Sequence, residues 1–210
     1  MLRILLISLL LSASTAAWSL DSEDIFRQAE KYTVKIKTTS QYAYLGETEG
    51  VGIGAGFLID KQRRWVITNR HVVGSAPSVV EVRFMDSDYL KARKIYLDPQ
   101  IDLAVIQLPE GSLPTQSQVA KLSCRDLPDT GHPVITFGHP SDLNFTGTRG
   151  IISGRTYVTG NEWLQTDAPI NPGNSGGALI DVNGVGYEIY AAPRVLQGLH
   201  PSPSSHPGSH

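Results

Sequence analysis

Three side chains of this sequence could together activate a hydroxyl group: Ser175, His71 and Asp102. Ser175 lies in a glycine-rich stretch, residues 167–179, directly before an apolar run. A serine hydroxyl attacks a carbonyl only when a base takes its proton and hydrogen-bond donors stabilise the oxyanion that forms. Glycines on both sides let backbone N–H groups converge on one point. Taken alone, such a stretch is more often a polar turn between two strands.

His71 and Asp102 supply the missing chemistry. A lone histidine after an apolar strand is usually an exposed or hydrogen-bonded side chain of the fold. Asp102 stands between two aliphatic residues, where a buried carboxylate is costly unless a group donates to it. An imidazole N–H would serve, so Asp102 is predicted to orient His71 and stabilise its imidazolium form. His71 then takes the proton from Ser175 and returns it to a leaving amine, while the N–H groups of Gly173 and Ser175 form the oxyanion hole.

The order of these residues separates two kinds of hydrolase. Histidine, aspartate and serine follow one another at intervals of about 30 and about 70 residues, the order of the two-barrel serine proteases. Residues 173–177 also fit the nucleophile elbow of α/β-hydrolases. Those enzymes place the acid and the histidine after the serine and continue from the elbow into a helix. The only histidines after Ser175 are His200, His206 and His210. They lie in a tail rich in Pro and Ser, so the elbow interpretation is disfavoured.

Short strands are predicted to position these residues. Residues 21–31 favour a helix capped by Asp21 or Ser22, with Ile25, Phe26 and Ala29 on one face. Apolar segments separated by turn residues then favour an all-β sandwich or barrel. The predicted strands cover residues 32–39, 52–59, 64–68, 79–84, 89–97, 103–108, 134–137, 145–152, 163–166, 178–181 and 186–191. A polar connection at residues 109–117 is the predicted boundary between two halves.

The glycine-rich segment 52–59 has two interpretations. A loop that cradles phosphate requires a helix directly after its glycines, and no helical pattern follows here. Glycines that let a barrel strand curl sharply are the better explanation.

Composition excludes several classes of protein. The chain has 210 residues, enough for one large all-β domain or two small barrels. A formal net charge of -2 gives no sign of binding to nucleic acid or to an anionic membrane surface. The single cysteine, Cys124, excludes an internal disulfide, and no histidine and cysteine spacing predicts a metal site. We expect no cofactor and no metal.

The first residues have the pattern of a secretory signal peptide. A cationic start is followed by an apolar run at residues 4–11 and by small residues at 12–17. The apolar run is shorter than the roughly 20 residues that span a bilayer. A signal peptide at residues 1–19 is predicted, with cleavage after Ala16, Ala17 or Ser19, and no stable membrane insertion after cleavage. An uncleaved signal anchor is the alternative.

Five ordered motifs resemble the HtrA/DegP-type trypsin-like serine proteases. They are GAGFLI at 54–59, VITNRHVV at 66–73, DLAVI at 102–106, GHP at 138–140 followed by GIIS at 150–153, and residues 167–179. The resemblance implies a double six-stranded β-barrel with the site in the cleft between barrels, and an ATP-independent periplasmic or secreted endopeptidase acting on unfolded or damaged exported proteins. It assigns the triad to His71, Asp102 and Ser175, and the oxyanion hole to Gly173 and Ser175.

The resemblance also implies a substrate and activation loop, and an assembly. The loop comprises Asp167, Ala168, Pro169, Ile170 and Asn171. Polypeptide substrates are the expected partners, and a homotrimer is an expected assembly. The resulting domains are a first barrel at residues 20–112, a second barrel at 113–192, and a disordered tail at 193–210.

The sequence departs from the family at its C-terminal end. We expect no PDZ domain, and the resemblance fades after Asn183. The tail is rich in Pro, Ser and His and cannot bury enough apolar area to order itself. Its histidines are too sparse for a predicted metal site. We hypothesise a frameshifted or truncated end that leaves the second barrel incomplete. A catalytically inactive remnant and a chaperone-like binder of unfolded chains are therefore the alternatives to an active endopeptidase.

Overall fold

The computed structural model describes residues 21–42, 49–122, 127–158, 161–184, 186–187 and 195–197. The signal peptide predicted at 1–19, Cys124 and most of the predicted tail lie outside these residues. No helix in the described ranges is long and apolar enough to cross a membrane.

One short helix precedes the strands, as the sequence predicts. Helix α1 spans Ser22–Glu30, and the Asp21 side chain accepts a hydrogen bond of 2.6 Å from the Ser22 N–H at its start. Ile25 and Ala29 are buried, and the ring of Phe26 packs 6.0 Å from the ring of Phe137 in the second sheet. The helix therefore contacts both halves of the protein.

Six strands close into a barrel in the first half. Their bounds are β1 Thr33–Ser40, β2 Gly50–Asp60, β3 Trp65–Asn69, β4 Ser78–Arg83, β5 Leu90–Asp98 and β6 Leu103–Gln107. The closed order is β1-β2-β3-β6-β5-β4, and every neighbouring pair is antiparallel. A one-turn helix, α2 Arg70–Val73, follows β3 directly. The predicted first barrel is present, and the predicted helix and strands agree with it to within about two residues.

The second half is an open sheet. Its strands are β7 Pro133–Gly138, β8 Thr146–Val158, β9 Asn161–Thr166, β10 Ala178–Asp181, β11 Gly186–Tyr187 and β12 Val195–Gln197. The order is β11-β10-β7-β8-β9-β12, and the two end strands do not pair with each other within the described residues. The last strand lies parallel to β9. Within the described residues this half is therefore a six-stranded sheet that does not close, and the loss of strands from the second barrel stays a hypothesis.

A short strand lies within the tail predicted at residues 193–210, and the disorder of that tail as a whole stays a prediction. Val195–Gln197 pairs with Leu164, Gln165 and Thr166 of β9. The free edge of a strand presents unpaired N–H and C=O groups. A neighbouring segment in extended conformation can form backbone hydrogen bonds with them. The division of the chain at residue 112 stays a prediction, although the first barrel ends at Gln107 and β7 begins at Pro133.

The larger of two hydrophobic clusters joins the two halves. Buried side chains of the barrel, including Ile36, Phe57 and Ile106, belong to the same cluster as Phe137 and Ile180 of the second sheet. Because the core is continuous, elements from both halves are held in fixed positions where they meet, and the predicted site residues lie on those elements.

Candidate active site

The side chains of His71 and Asp102 form a close pair. His71 lies in α2, directly after β3, and Asp102 lies in the turn between β5 and β6. His71 Nδ1 is 2.6 Å from Asp102 Oδ2, and the His71 backbone N–H donates to Asp102 Oδ1 at 2.9 Å. The carboxylate therefore contacts the ring and the main chain of the same residue. The Asp102 side chain is 14% exposed and that of His71 is 40% exposed, so the imidazole is accessible while the carboxylate behind it is largely sheltered.

The turn that carries Asp102 is tied to the start of α2. Asp102 has a φ of 53°, in the left-handed region that aspartate tolerates better than most residues. Its carbonyl accepts from the Arg70 N–H at 2.9 Å and from the Asn69 side-chain amide at 3.1 Å. The Arg70 guanidinium Nε lies 3.9 Å from Oδ1. Main-chain and side-chain contacts thus fix the position of Asp102 relative to His71.

The serine loop is fastened to the first barrel through Ala55. The Ser175 carbonyl accepts from the Ala55 N–H at 2.8 Å, and the Ala55 carbonyl accepts from the Thr68 hydroxyl at 2.7 Å. Gly176 has a φ of 80°, and a Cβ there would collide with the Ala55 carbonyl and the Thr68 hydroxyl. Only glycine permits this approach. Ser175 of the second half is therefore held against β2 and β3, next to the His71 helix.

Close contact between Gly173 and His139 fixes the conformation of the loop before the serine. Gly173 has a φ of 102°, and a Cβ there would overlap the His139 carbonyl. The His139 N–H donates to the Gly173 carbonyl at 3.2 Å, and the Ser141 N–H donates to the Pro172 carbonyl at 2.9 Å. These two carbonyls are thus hydrogen-bonded to the connection between β7 and β8.

Two backbone donors near the serine have no protein acceptor in the described part of the chain. They are the N–H groups of Gly173 and Ser175, the predicted oxyanion-hole donors. The Ser175 hydroxyl likewise forms no hydrogen bond with His71 among those residues. Hydrogen bonds between catalytic groups are often long without a substrate and shorten when one binds.

The predicted substrate and activation loop is attached to β8. The Asp167 carboxylate accepts from the Ile151 N–H at 2.7 Å, and the Pro169 carbonyl accepts from the Thr148 hydroxyl at 2.9 Å. Ala168 is fully buried, Ile170 is half-buried, and Asn171 is exposed. The Asn171 carbonyl accepts from the Asn174 N–H at 3.0 Å, which closes a turn just before the serine.

His139 belongs to the GHP motif at 138–140, and the sequence predicts no role for it. Its side chain is fully buried, Nδ1 accepts from the Phe145 N–H at 3.0 Å, and the ring packs edge-on against Phe145. Burial lowers its pKa from 6.5 to about 4. The Val34 carbonyl raises the pKa by a smaller amount, and the Lys35 and Arg83 charges lower it. The ring is therefore neutral at neutral pH, directly below the loop that carries Gly173.

No group of three or more His, Cys, Asp or Glu side chains in the described ranges could hold a metal ion. His200, His206 and His210 of the tail lie outside those ranges.

Comparison with known proteins places the chain in a class. The family described as a trypsin-like peptidase domain matches residues 54–185. This match contains His71, Asp102 and Ser175. The chain therefore belongs to the family of trypsin-like peptidase domains.

Its relatives within this class are of the DegP/HtrA type. It is 37% identical over 139 residues to the periplasmic serine endoprotease DegP of Salmonella typhimurium, a match covering 64% of this chain and 28% of that protein. DegP of Escherichia coli K12 is 36% identical, also over 139 residues, and the match again covers 64% of this chain and 28% of that protein. The chain thus spans less than a third of these relatives, and its resemblance to HtrA/DegP-type proteases is confirmed.

Two solved structures of similar proteases have the same fold as this chain. The HtrA-type protease AlgW, solved with a tripeptide, superimposes with a TM-score of 0.66 at 27% identity, covering 79% of this chain and 52% of that one. A serine endoprotease from Yersinia pestis gives a TM-score of 0.62 at 29% identity, covering 78% and 54%. The predicted trypsin-like fold class is confirmed.

Proposed function

We propose that this chain is an exported serine endopeptidase that hydrolyses peptide bonds in proteins, with His71, Asp102 and Ser175 as its catalytic triad. The observation that carries the proposal is the double contact of Asp102 with His71, at 2.6 Å to the ring and 2.9 Å to the main chain. A carboxylate placed in this way selects the imidazole tautomer whose other nitrogen accepts a proton. Ser175 lies on the neighbouring loop, whose main chain is hydrogen-bonded to Ala55.

The reaction follows from these positions. Nε2 of His71 accepts the Ser175 proton as Oγ attacks the substrate carbonyl, and the N–H groups of Gly173 and Ser175 stabilise the oxyanion. The imidazolium then gives its proton to the leaving amine, which departs and leaves an acyl-enzyme. Water attacks this ester with His71 again acting as base, and the acid product leaves.

The proposed location rests on the names of the relatives, and the proposed substrates and assembly rest on the resemblance to HtrA/DegP-type proteases. The DegP proteins are named periplasmic serine endoproteases. By this similarity and the signal-like N-terminus, the chain acts in the periplasm or outside the cell on unfolded or damaged exported proteins. The resemblance to HtrA/DegP-type proteases implies a homotrimer, which sedimentation of the purified protein tests directly.

Cleavage of one substrate protein in its folded and unfolded forms tests this function. An exported protein with disulfides is offered in its native form and in a reduced, unfolded form, and products are identified by mass spectrometry. Internal cuts in the unfolded form, absent with Ser175→Ala, are expected. Cuts that persist in Ser175→Ala would refute the assignment of the nucleophile.

The open second sheet favours a second candidate, a fold that binds unfolded chains without cleaving them. Its two end strands stay unpaired with each other in the described part of the chain, so strand edges are available to an extended segment. Ser175→Ala separates the two functions. Suppression of aggregation of an unfolded protein that survives this substitution, without cleavage by either form, supports the binder.

A further inference from the structure

The ammonium group of Lys94 lies among acceptors from the segment that follows His71. Nζ is 3.0 Å from the Gly74 carbonyl, 2.6 Å from the Ala76 carbonyl, and 3.0 Å from the Ser78 hydroxyl. The Val73 carbonyl lies at 3.3 Å. A lysine ammonium has three donors, so a single side chain on β5 holds most of residues 73–78 in one arrangement.

Lys94 stands at an inward position of its strand. Leu90, Ala92 and Lys94 alternate with the exposed Lys91 and Arg93, and Ala92 packs against the hydrophobic core. An apolar residue is expected at such a position. A charged group placed there needs hydrogen-bond acceptors to offset the lost hydration, and the carbonyls after α2 provide them.

The helix that carries His71 depends on what fastens its ends. Helix α2 has only four residues, a single turn, and so short a helix has little stability of its own. At its start the Arg70 N–H donates to the Asp102 carbonyl. At its end Gly74 has a φ of 69° and its N–H donates to the Arg70 carbonyl. The Val73 carbonyl, at the last residue of this turn, and the Gly74 carbonyl just after it lie at the negative end of the helix dipole, which a cation stabilises.

We propose that Lys94 is a positioning residue for His71: it clamps the C-terminal end of α2 and the segment after it, while Asp102 holds the other end. This role rests on the proposed serine endopeptidase function, because it matters for the reaction only where His71 acts as the base. Lys94 itself touches neither the substrate nor the reacting atoms. It acts through the main chain of residues 73–78, and its loss lets the imidazole move away from the Ser175 hydroxyl.

The test replaces Lys94 by Met, which has a similar length, is uncharged and suits an inward position. Lys91→Met is the matched control, since Lys91 lies on the same strand with its side chain exposed. Labelling with a fluorophosphonate is measured under conditions in which circular dichroism shows every variant folded. Lys94→Met is expected to lower the maximal labelling rate by roughly tenfold to a hundredfold, the effect of a displacement of about 1 Å. Probe affinity is expected to change little.

Two further readouts separate positioning from general stability. Lys94→Arg restores the charge, although its planar donors match these acceptors less well, and its labelling rate is expected to lie between Lys94→Met and the parent protein. In NMR spectra, the proton shared by His71 Nδ1 and Asp102 is expected to shift or broaden in Lys94→Met and to stay unchanged in Lys91→Met. Faster hydrogen exchange at the Gly74 N–H is expected in Lys94→Met alone.

The proposal is overturned if folded Lys94→Met labels as fast as Lys91→Met, or if its Gly74 exchange and His71 resonance match those of the parent protein. Absence of labelling in the parent protein would instead contradict the endopeptidase function. The exchange and resonance measurements would then still decide whether Lys94 positions the His71 helix.

Discussion

Asp102 holds His71 at two points at once, through the ring Nδ1 at 2.6 Å and through the backbone N–H at 2.9 Å. The two contacts use different oxygens of one carboxylate, so a single side chain holds both the ring and the main chain of His71. This geometry fixes both the rotation of the imidazole and the place of the helix that carries it.

Replacing Asp102 by Asn separates the chemistry of this carboxylate from its shape. Asparagine has a similar size and tolerates the left-handed backbone at φ 53°. However, its amide can leave the imidazole in the wrong tautomer, and the rate of peptide hydrolysis is expected to fall by about ten-thousandfold. Steady-state kinetics with a peptide substrate measure this change.

The matched control is Asp88→Asn, because Asp88 is exposed in the turn between β4 and β5. This variant is expected to hydrolyse the peptide at the parental rate. Equal rates for Asp102→Asn and Asp88→Asn would show that the Asp102 charge has no part in the reaction.

Alanine at Gly173 tests whether the loop before the serine needs its present backbone. A side chain at φ 102° is strained and overlaps the His139 carbonyl. We expect a loss of about 1–3 kcal/mol in the free energy of unfolding, together with loss of hydrolysis, because the N–H of residue 173 turns away from the oxyanion. Urea unfolding and peptide hydrolysis measure the two effects.

Gly52→Ala is the stability control, since a Cβ at Gly52 meets nothing within 4 Å. Its free energy of unfolding is expected to lie within about 0.5 kcal/mol of the parent value. If Gly173→Ala behaves the same way, the conformational requirement at Gly173 is wrong.

His139 makes the protein less stable in acid. Burial lowers the pKa of its ring from 6.5 to about 4. Above pH 6.5 the ring is neutral in both states and contributes nothing to the pH dependence. Between pH 6.5 and 4 the unfolded chain binds a proton that the folded chain does not. The free energy of unfolding therefore falls as the pH falls through this window, by about 3 kcal/mol in all.

His139→Asn keeps an acceptor for the Phe145 N–H but cannot titrate. Urea unfolding of both proteins at pH 7 and at pH 4 is the measurement, and the difference between them cancels contributions from other groups. The parent protein is expected to lose about 3 kcal/mol more than His139→Asn. Parallel losses would contradict a neutral buried His139.

Local patterns predict the elements of the first barrel, and the chemistry of one carboxylate predicts the pairing of His71 with Asp102. The cap at Asp21, the apolar face of α1 and the strands of the first barrel all follow from the periodicity of nearby residues. The approach of His71 to Asp102 followed from the argument that a sheltered carboxylate needs a donor. These inferences worked because each depends on a short stretch of chain or on one strong electrostatic requirement.

Contacts between distant segments were not predictable in this way. The pairing of β12 with β9 arises from a free edge in the assembled sheet, and no pattern within residues 195–197 indicates it. The contact of Gly173 with His139 depends on how two loops approach each other. Lys94 does leave a signal, since it shares the alternation of Leu90 and Ala92, but only the folded barrel shows which acceptors it reaches.

Fluorophosphonate labelling of the mature protein, with mass spectrometry of the labelled peptide, tests the proposed triad most directly. We expect one adduct per chain, located on Ser175, and none in Ser175→Ala. This result requires that His71, Asp102 and the N–H groups around Ser175 operate together despite the open second sheet. A folded protein that stays unlabelled, even with an unfolded polypeptide added, would contradict it.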